Sequence, residues 1–270
     1  MRQSTLCEAM GLEPGGILAC VGAGGKTTVC LRAWHELRYD NPLALFSTTT
    51  HIWEPHLPEA AVLVLAQRPI ADRIQRLAIH HHGLILAGSR LPGPVDSLNP
   101  NPAAPARPVK LAGLSLEAIE GLIDNLDGAT WLVEADGARG RDLKWPAAHE
   151  PVIPRQATAV AVLACLDAIG RPLDEATVHR SEEFAAALGL ALGSPLSAEH
   201  VAEVLVEPRG GLRHIPAGAR VMAILNQSDP AHLHPHAGQV IDRVLASGRM
   251  ERVVVASLRA ESPVLGVYSP

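Results

Sequence analysis

The sequence predicts an α/β protein built on a mostly parallel sheet with helices on both faces. Three features carry that expectation: short apolar runs recurring along the chain, helical periods between them, and a glycine-rich turn joining the first run to the first long helix. The runs fit for buried strands are Ile17–Val21, Leu43–Phe46, Ala61–Leu65, Leu84–Ala87, Trp131–Val133, Ala159–Ala164, Val221–Leu225 and Arg252–Ala256. Near-continuous apolar character, rather than alternation, is what a strand covered on both sides requires. In Lys26–Arg38 the residues Val29, Ala33 and Leu37, with Cys30 and Trp34, share one helical face. Leu116, Ile119, Ile123 and Leu126 form another after a Ser115 cap, and Val240, Ile241, Val244 and Leu245 a third before a stop at Gly248. Strands alternating with helices need crossover connections, hence a parallel sheet.

At 270 residues and 47% apolar composition the chain reads as a single domain over 1–270 with a substantial core. Two embellishments are expected. Residues 90–108 hold six prolines and read as a mobile loop. Residues 167–216 read as a helical insertion or lid, with caps at Ser181 and Ser197.

With 23 basic against 28 acidic residues the net charge is -5, so no broad positive field for nucleic acid is expected. Cys7, Cys20, Cys30 and Cys165 form no C-x-x-C pair, which argues against a disulfide framework or a structural zinc site. No apolar stretch is long enough to span a bilayer and no export signal is read at the start, so the expected location is cytoplasmic, without membrane association.

The stretch VGAGGKTT, Val21 to Thr28, follows the first strand and opens the first helix. Free amides at a helix N-terminus, a lysine and a threonine hydroxyl are what a nucleotide's phosphates and Mg²⁺ need. The expected phosphate contacts are Gly22, Ala23, Gly24, Gly25, Lys26, Thr27 and Thr28, and the fold is expected to be P-loop NTPase-like. Cys20 stands where the usual G-x-x-x-x-G-K-[ST] pattern has its first glycine. The loop is similar to that of Mur ligases, and Val21 occupies the site of the additional lysine of MinD-type ATPases.

WLVEADGARG delivers Glu134 and Asp136 from a strand end, the place for metal-holding carboxylates, and its E-x-x-G resembles that of metal-insertion GTPases. In FSTTTH, Thr49 or Thr50 is expected to meet Mg²⁺ or a phosphate, and His51 to bind substrate or orient water; Asp136 is the other candidate for the latter role. Metal contacts are thus assigned to Thr27, Thr49, Glu134 and Asp136. The Ala138–Pro154 stretch, with Arg139, Arg141, Lys144, His149 and Glu150, reads as a mobile connection sensing phosphate or a partner. Arg139, Lys144 or Arg180 would neutralise developing charge. In LNQSD, Asn226 and Asp229 are similar to the guanine-reading N-K-x-D, with Gln227 replacing the lysine. His80–His82 and His232, His234 and His236 read as surface histidines rather than metal ligands.

Together VGAGGKTT, STTTH, KLAGL, VEADGARGRDLKWPAAHEPVIP, LDAIGRPL, His179-Arg180 and LNQSD resemble the YqeC family from about Ile17 to Ser257. The family is described as selenium-dependent molybdenum hydroxylase accessory proteins. The resemblance implies a nucleotide-dependent role in cofactor maturation for such hydroxylases. It covers Gly22, Gly24, Gly25, Lys26, Thr27, Thr28, Thr49, Thr50, His51, Lys110, Glu134, Asp136, Gly137, Arg139, Lys144, His149, Glu150 and Arg180.

The expected activity is Mg²⁺-dependent binding and hydrolysis of a nucleoside triphosphate, GTP first and ATP second, with a molybdenum hydroxylase or its cofactor as client. The alternatives are a small-molecule kinase or ligase, with Lys110, His149 and Glu150 at the acceptor, and a non-catalytic nucleotide-gated binding module.

Overall fold

The computed structural model describes residues 4–53, 62–64, 70–91 and 110–270. In chain order the elements are α1 (Leu6–Met10), β1 (Ile17–Gly22), α2 (Lys26–Leu37), β2 (Ala44–Thr48), β3 (His51–Trp53), β4 (Val62–Val64), α3 (Ala71–His81), β5 (Leu84–Ala87), β6 (Ser89–Arg90) and β7 (Lys110–Ala112). There follow α4 (Leu116–Ile123), β8 (Thr130–Glu134), β9 (Leu143–Lys144), β10 (Ala159–Cys165), β11 (Val178–His179), α5 (Ser181–Leu188), α6 (Ala198–Val206), β12 (Arg220–Asn226), α7 (Ala237–Ala246), β13 (Arg252–Ala256) and β14 (Val264–Tyr268).

Nine strands form the central sheet in the order β14-β13-β12-β10-β1-β8-β2-β5-β4. The eight apolar runs of the sequence are its eight parallel strands, and β14 adds an antiparallel edge through its pairing with β13. Of the expected run Ala61–Leu65, Val62–Val64 lies within the described residues and forms β4. The proline-rich stretch 90–108 lies outside them after Leu91.

Both faces are covered. Leu18 and Cys20 of β1 join a core cluster with Leu6 and Met10 of α1 and Val29, Ala33 and Trp34 of α2. Ile17, Ala19 and Val21 point the other way, into a cluster with residues of α3 through α7. The segment 167–216 contributes Phe184, Val201 and Leu205 to that second cluster, so its helices are built into the sheet's own core.

Helix ends follow local chemistry. Ser115 accepts from the Ala118 amide, and Ser197 forms a reciprocal capping pair with His200. The cap expected at Ser181 is displaced by one residue. Arg180, at φ 62°, is the N-cap of α5, because the Ser181 amide and hydroxyl both donate to Glu175 (2.9 and 3.1 Å).

The site-bearing helix α2 is anchored by Trp34, which is fully buried and donates from Nε1 to the Ala44 carbonyl at 3.0 Å. Trp34→Ala is expected to lower the unfolding free energy by about 3–5 kcal/mol, measured by urea denaturation.

Candidate functional site

Parallel pairing brings the carboxyl ends of β1, β2, β8, β10, β12 and β13 to one edge. Cys20 stands beside Glu134, Thr48 beside Glu134, and Cys165 beside Asn226. In open α/β sheets ligands collect at this edge, where the chain changes direction across the sheet. Here β1 lies between β8 and β10.

The chain leaves β1 through a turn that only glycine permits. Gly22 has φ 90°, and a Cβ there would fall 2.4 Å from the Leu163 carbonyl oxygen. Gly25 has φ 134°, and its Cβ would meet Leu258 Cδ1 at 2.6 Å. The loop is therefore pressed against β10 on one side and the segment after β13 on the other.

Its amides divide into two groups. Gly22 N donates to Asp136 Oδ2 (3.1 Å), Ala23 N to the Leu163 carbonyl (3.0 Å) and Gly24 N to the Arg141 carbonyl (3.1 Å). Those of Gly25, Lys26, Thr27 and Thr28, at the start of α2, have no acceptor among the described residues. Within 22–28 the first three amides pin the turn, and the last four are unpaired among the described residues.

Around these donors stand buried charges. Lys26 is 4% exposed; its Nζ donates to the Gly22 carbonyl and lies 3.2 Å from Asp136 Oδ1. Thr27 Oγ1 donates to Glu134 Oε2 at 2.7 Å. Asp136 Oδ2 is also 2.9 Å from Lys144 Nζ, which donates to the Gly137 carbonyl (2.7 Å) and to Glu150 Oε2 (3.0 Å). Arg180 Nη1 closes the series on Glu150 Oε2 at 2.7 Å. The stretch expected to be a mobile connection is thus held in place: Lys144 is buried in β9, paired in parallel with β11.

Proton affinities follow this order. Burial raises the Glu134 pKa by more than Lys26 and the Thr27 hydroxyl lower it. Burial works to depress Lys26, but the Asp136 and Glu134 carboxylates prevail and raise it. Burial would lift Glu150, yet Lys144, the Ala147 amide and Arg180 bring it down to about 2.

The other expected site residues are placed as follows. Thr49 donates its hydroxyl to the Val152 carbonyl (3.3 Å), so it is turned from the Thr27–Glu134 pair. His51 is exposed, opens β3 and pairs with Ala112 in the small sheet β3-β7-β6; no hydrogen bond or ion pair ties it to Lys26 or Asp136. Arg139 is exposed at φ 50° with no partner among the described residues. Asn226 donates from Nδ2 to the Gly24 carbonyl (2.7 Å) and accepts from Leu258 N (3.1 Å), locking the glycine turn to the loop after β13. Asp229 is exposed, and its Oδ1 accepts from Ala231 N at 2.7 Å.

Two participants escaped sequence reasoning. Asp167, just beyond β10, accepts from Ser228 N at 2.9 Å and so positions the loop that carries Asp229. Leu258 acts through its amide, which no side-chain pattern reveals. The signal for Asp167 was its place at a strand's carboxyl end.

A family model described as "YqeC protein" matches residues 18–182. The chain belongs to the YqeC family. A relative from Escherichia coli (strain K12), "Uncharacterized protein YqeC", is 27% identical over 213 residues, covering 78% of this chain and 75% of the relative. No solved structure matches. The YqeC match contains the glycine turn, Glu134, Asp136, Lys144, Glu150 and Arg180, while Asn226 and Asp229 lie beyond it.

Because the folded pKa of Glu150 is depressed, its contribution to stability is present above the ordinary carboxylate value, near 4.5, and is lost as pH falls towards about 2. As pH falls between those limits, the unfolding free energy of the parent is expected to decrease more steeply than that of Glu150→Gln, as followed by denaturant titration at a series of pH values.

Proposed function

We propose that the chain binds a nucleoside triphosphate with Mg²⁺, a guanine nucleotide first, and hydrolyses it in the maturation or delivery of a molybdenum-hydroxylase cofactor. One observation carries the reading: four amides at the start of α2 with no acceptor among the described residues, the buried Lys26 and the Thr27–Glu134 pair stand together at the carboxyl edge of β1 and β8. A helix N-terminus with free amides attracts an anion, and a desolvated lysine adds a charge-assisted contact.

The oxygen donors fit magnesium, a hard cation usually held by one or two protein oxygens together with phosphate oxygens and water. Thr27 Oγ1 and Glu134 would hold it, and it would neutralise charge on the phosphates. Among the described residues no group of three or more His, Cys, Asp and Glu side chains stands ready to hold a metal alone.

We read water as the acceptor: a cavity of about 20 Å³, lined mainly by apolar residues such as Val21, Val162 and Leu205, reaches Gly22, Asp136 and Lys144. That volume suits about one water molecule. Asp136 and Lys144 would orient it and balance charge. On the base side, Asn226 fixes the turn and Asp229 would accept from guanine N1–H and the exocyclic amine. The hydroxylase client rests on the family resemblance.

Calorimetric titration of GTP and ATP, with and without Mg²⁺, tests the reading. Lys26→Ala is expected to weaken both nucleotides by about tenfold or more. Parent protein that binds neither nucleotide would overturn it.

Asp229→Ala is expected to bring the GTP and ATP dissociation constants together while leaving ATP binding nearly unchanged. A purine preference that survives this substitution removes Asp229 as base reader.

A further inference from the structure

Asp136 is the anion inside the loop's own set of donors. Its Oδ2 takes the Gly22 amide at 3.1 Å and its Oδ1 lies 3.2 Å from Lys26 Nζ. A backbone amide and an ammonium converging on one small anion is the chemistry by which a glycine-rich loop holds a phosphate. The four amides of Gly25 to Thr28 are untouched by this carboxylate. We propose that Asp136 is a specificity-determining residue that reads phosphate-chain length: its carboxylate holds the place of a terminal phosphate, so a nucleoside diphosphate enters beside it and a triphosphate must displace it. The inference rests on the nucleotide reading of the Gly22–Thr28 loop.

The structure supplies a second holder for the displaced group. Lys144 Nζ already lies 2.9 Å from Asp136 Oδ2 and is fixed by the Gly137 carbonyl and Glu150, itself paired with Arg180. A carboxylate leaving Lys26 and Gly22 therefore keeps a cation and is not stranded in a low-dielectric interior, where an unpaired charge is costly. Of the two contacts to be broken, the Gly22 hydrogen bond and the Lys26 pair, the second is the less directional. Asp136 Oδ1 is buried with no hydrogen-bond donor, and faces Lys26 by charge alone. Gly137 follows directly and allows the backbone to turn.

The test is the equilibrium affinity of the full chain for guanosine and adenosine diphosphates and for non-hydrolysable triphosphate analogues, in EDTA, for the parent, Asp136→Asn and Asp136→Glu. With Asp136→Asn the triphosphate analogue is expected to bind about tenfold more tightly, while the diphosphate shifts by less than about threefold. Asp136→Glu, which keeps the charge, is expected to return the ratio towards that of the parent. Equal shifts for the two nucleotides, or weaker triphosphate binding, overturn the proposal. Because Asp136→Asn deprives two buried lysines of a partner, the parent is also followed by the ¹⁵N–¹H resonance of the Gly22 amide. It is expected to move with triphosphate and to stay in place with diphosphate; movement with diphosphate overturns the proposal. Binding without discrimination by Asp136 removes this inference alone, whereas a parent that binds no nucleotide removes the function reading as well.

Discussion

The parallel register of β1 with β8 is the constraint on which the site depends. It sets Cys20 beside Glu134, which brings the Glu134 carboxylate to Thr27 in the first turn of α2 and leaves Asp136 to reach Gly22 and Lys26. A slip of one residue would exchange the faces of β8 and send Glu134 to the opposite side of the sheet. Such a slip would also carry Trp131 and Val133 into the cluster that holds Leu132 and Leu132 into theirs, so the close packing of differently shaped side chains on the two faces holds the register. The apolar packing of the sheet therefore fixes the polar geometry at its edge.

What the edge holds is a series of alternating charges, Lys26, Asp136, Lys144, Glu150 and Arg180, most of it out of water. Buried ion pairs add little net stability over apolar packing, but removing one partner costs about 3–5 kcal/mol. Their value here lies in fixed position rather than in stability. The charges hold one another in place, so the position of each depends on its neighbours in the series.

Fold and site were legible in the sequence to different depths. The eight parallel strands could be read because burial on both faces demands continuous apolar runs, and Val21–Thr28 because three glycines beside a lysine have few structural uses. The two-residue strands β9 and β11 carry no periodicity, so Lys144 read as part of a mobile connection although it is buried in a strand. Its partners, Asp136 and Glu150, lie eight and six residues away, and only the folded chain shows that they meet around one ammonium. Ser181 looked like a cap because serine before a helical run usually is one; Glu175, six residues earlier, claimed both its donors. His51 and Thr49 read as site residues from position alone. Their side-chain directions were decided by β3 joining a second sheet and by the Val152 carbonyl.

Asn226 links the two halves of the edge. The half around Lys26, Glu134 and Asp136 lies within the matched family span, and the other half, from Asn226 to the Ser257–Leu258 loop, lies outside it. Asn226 spends its amide nitrogen on the Gly24 carbonyl and its oxygen on the Leu258 amide, so it acts as a strut between the halves and not as a free reader. Gln227 likewise spends both ends of its carboxamide inside its own loop, on Asp229 O, His232 O and His234 N. That leaves Asp229 as the carboxylate of the motif exposed at the edge, presented by a loop whose shape Gln227 and Asp167 define. Gln227, in the second position of this N-Q-S-D stretch, turns inward and fixes the loop that presents Asp229.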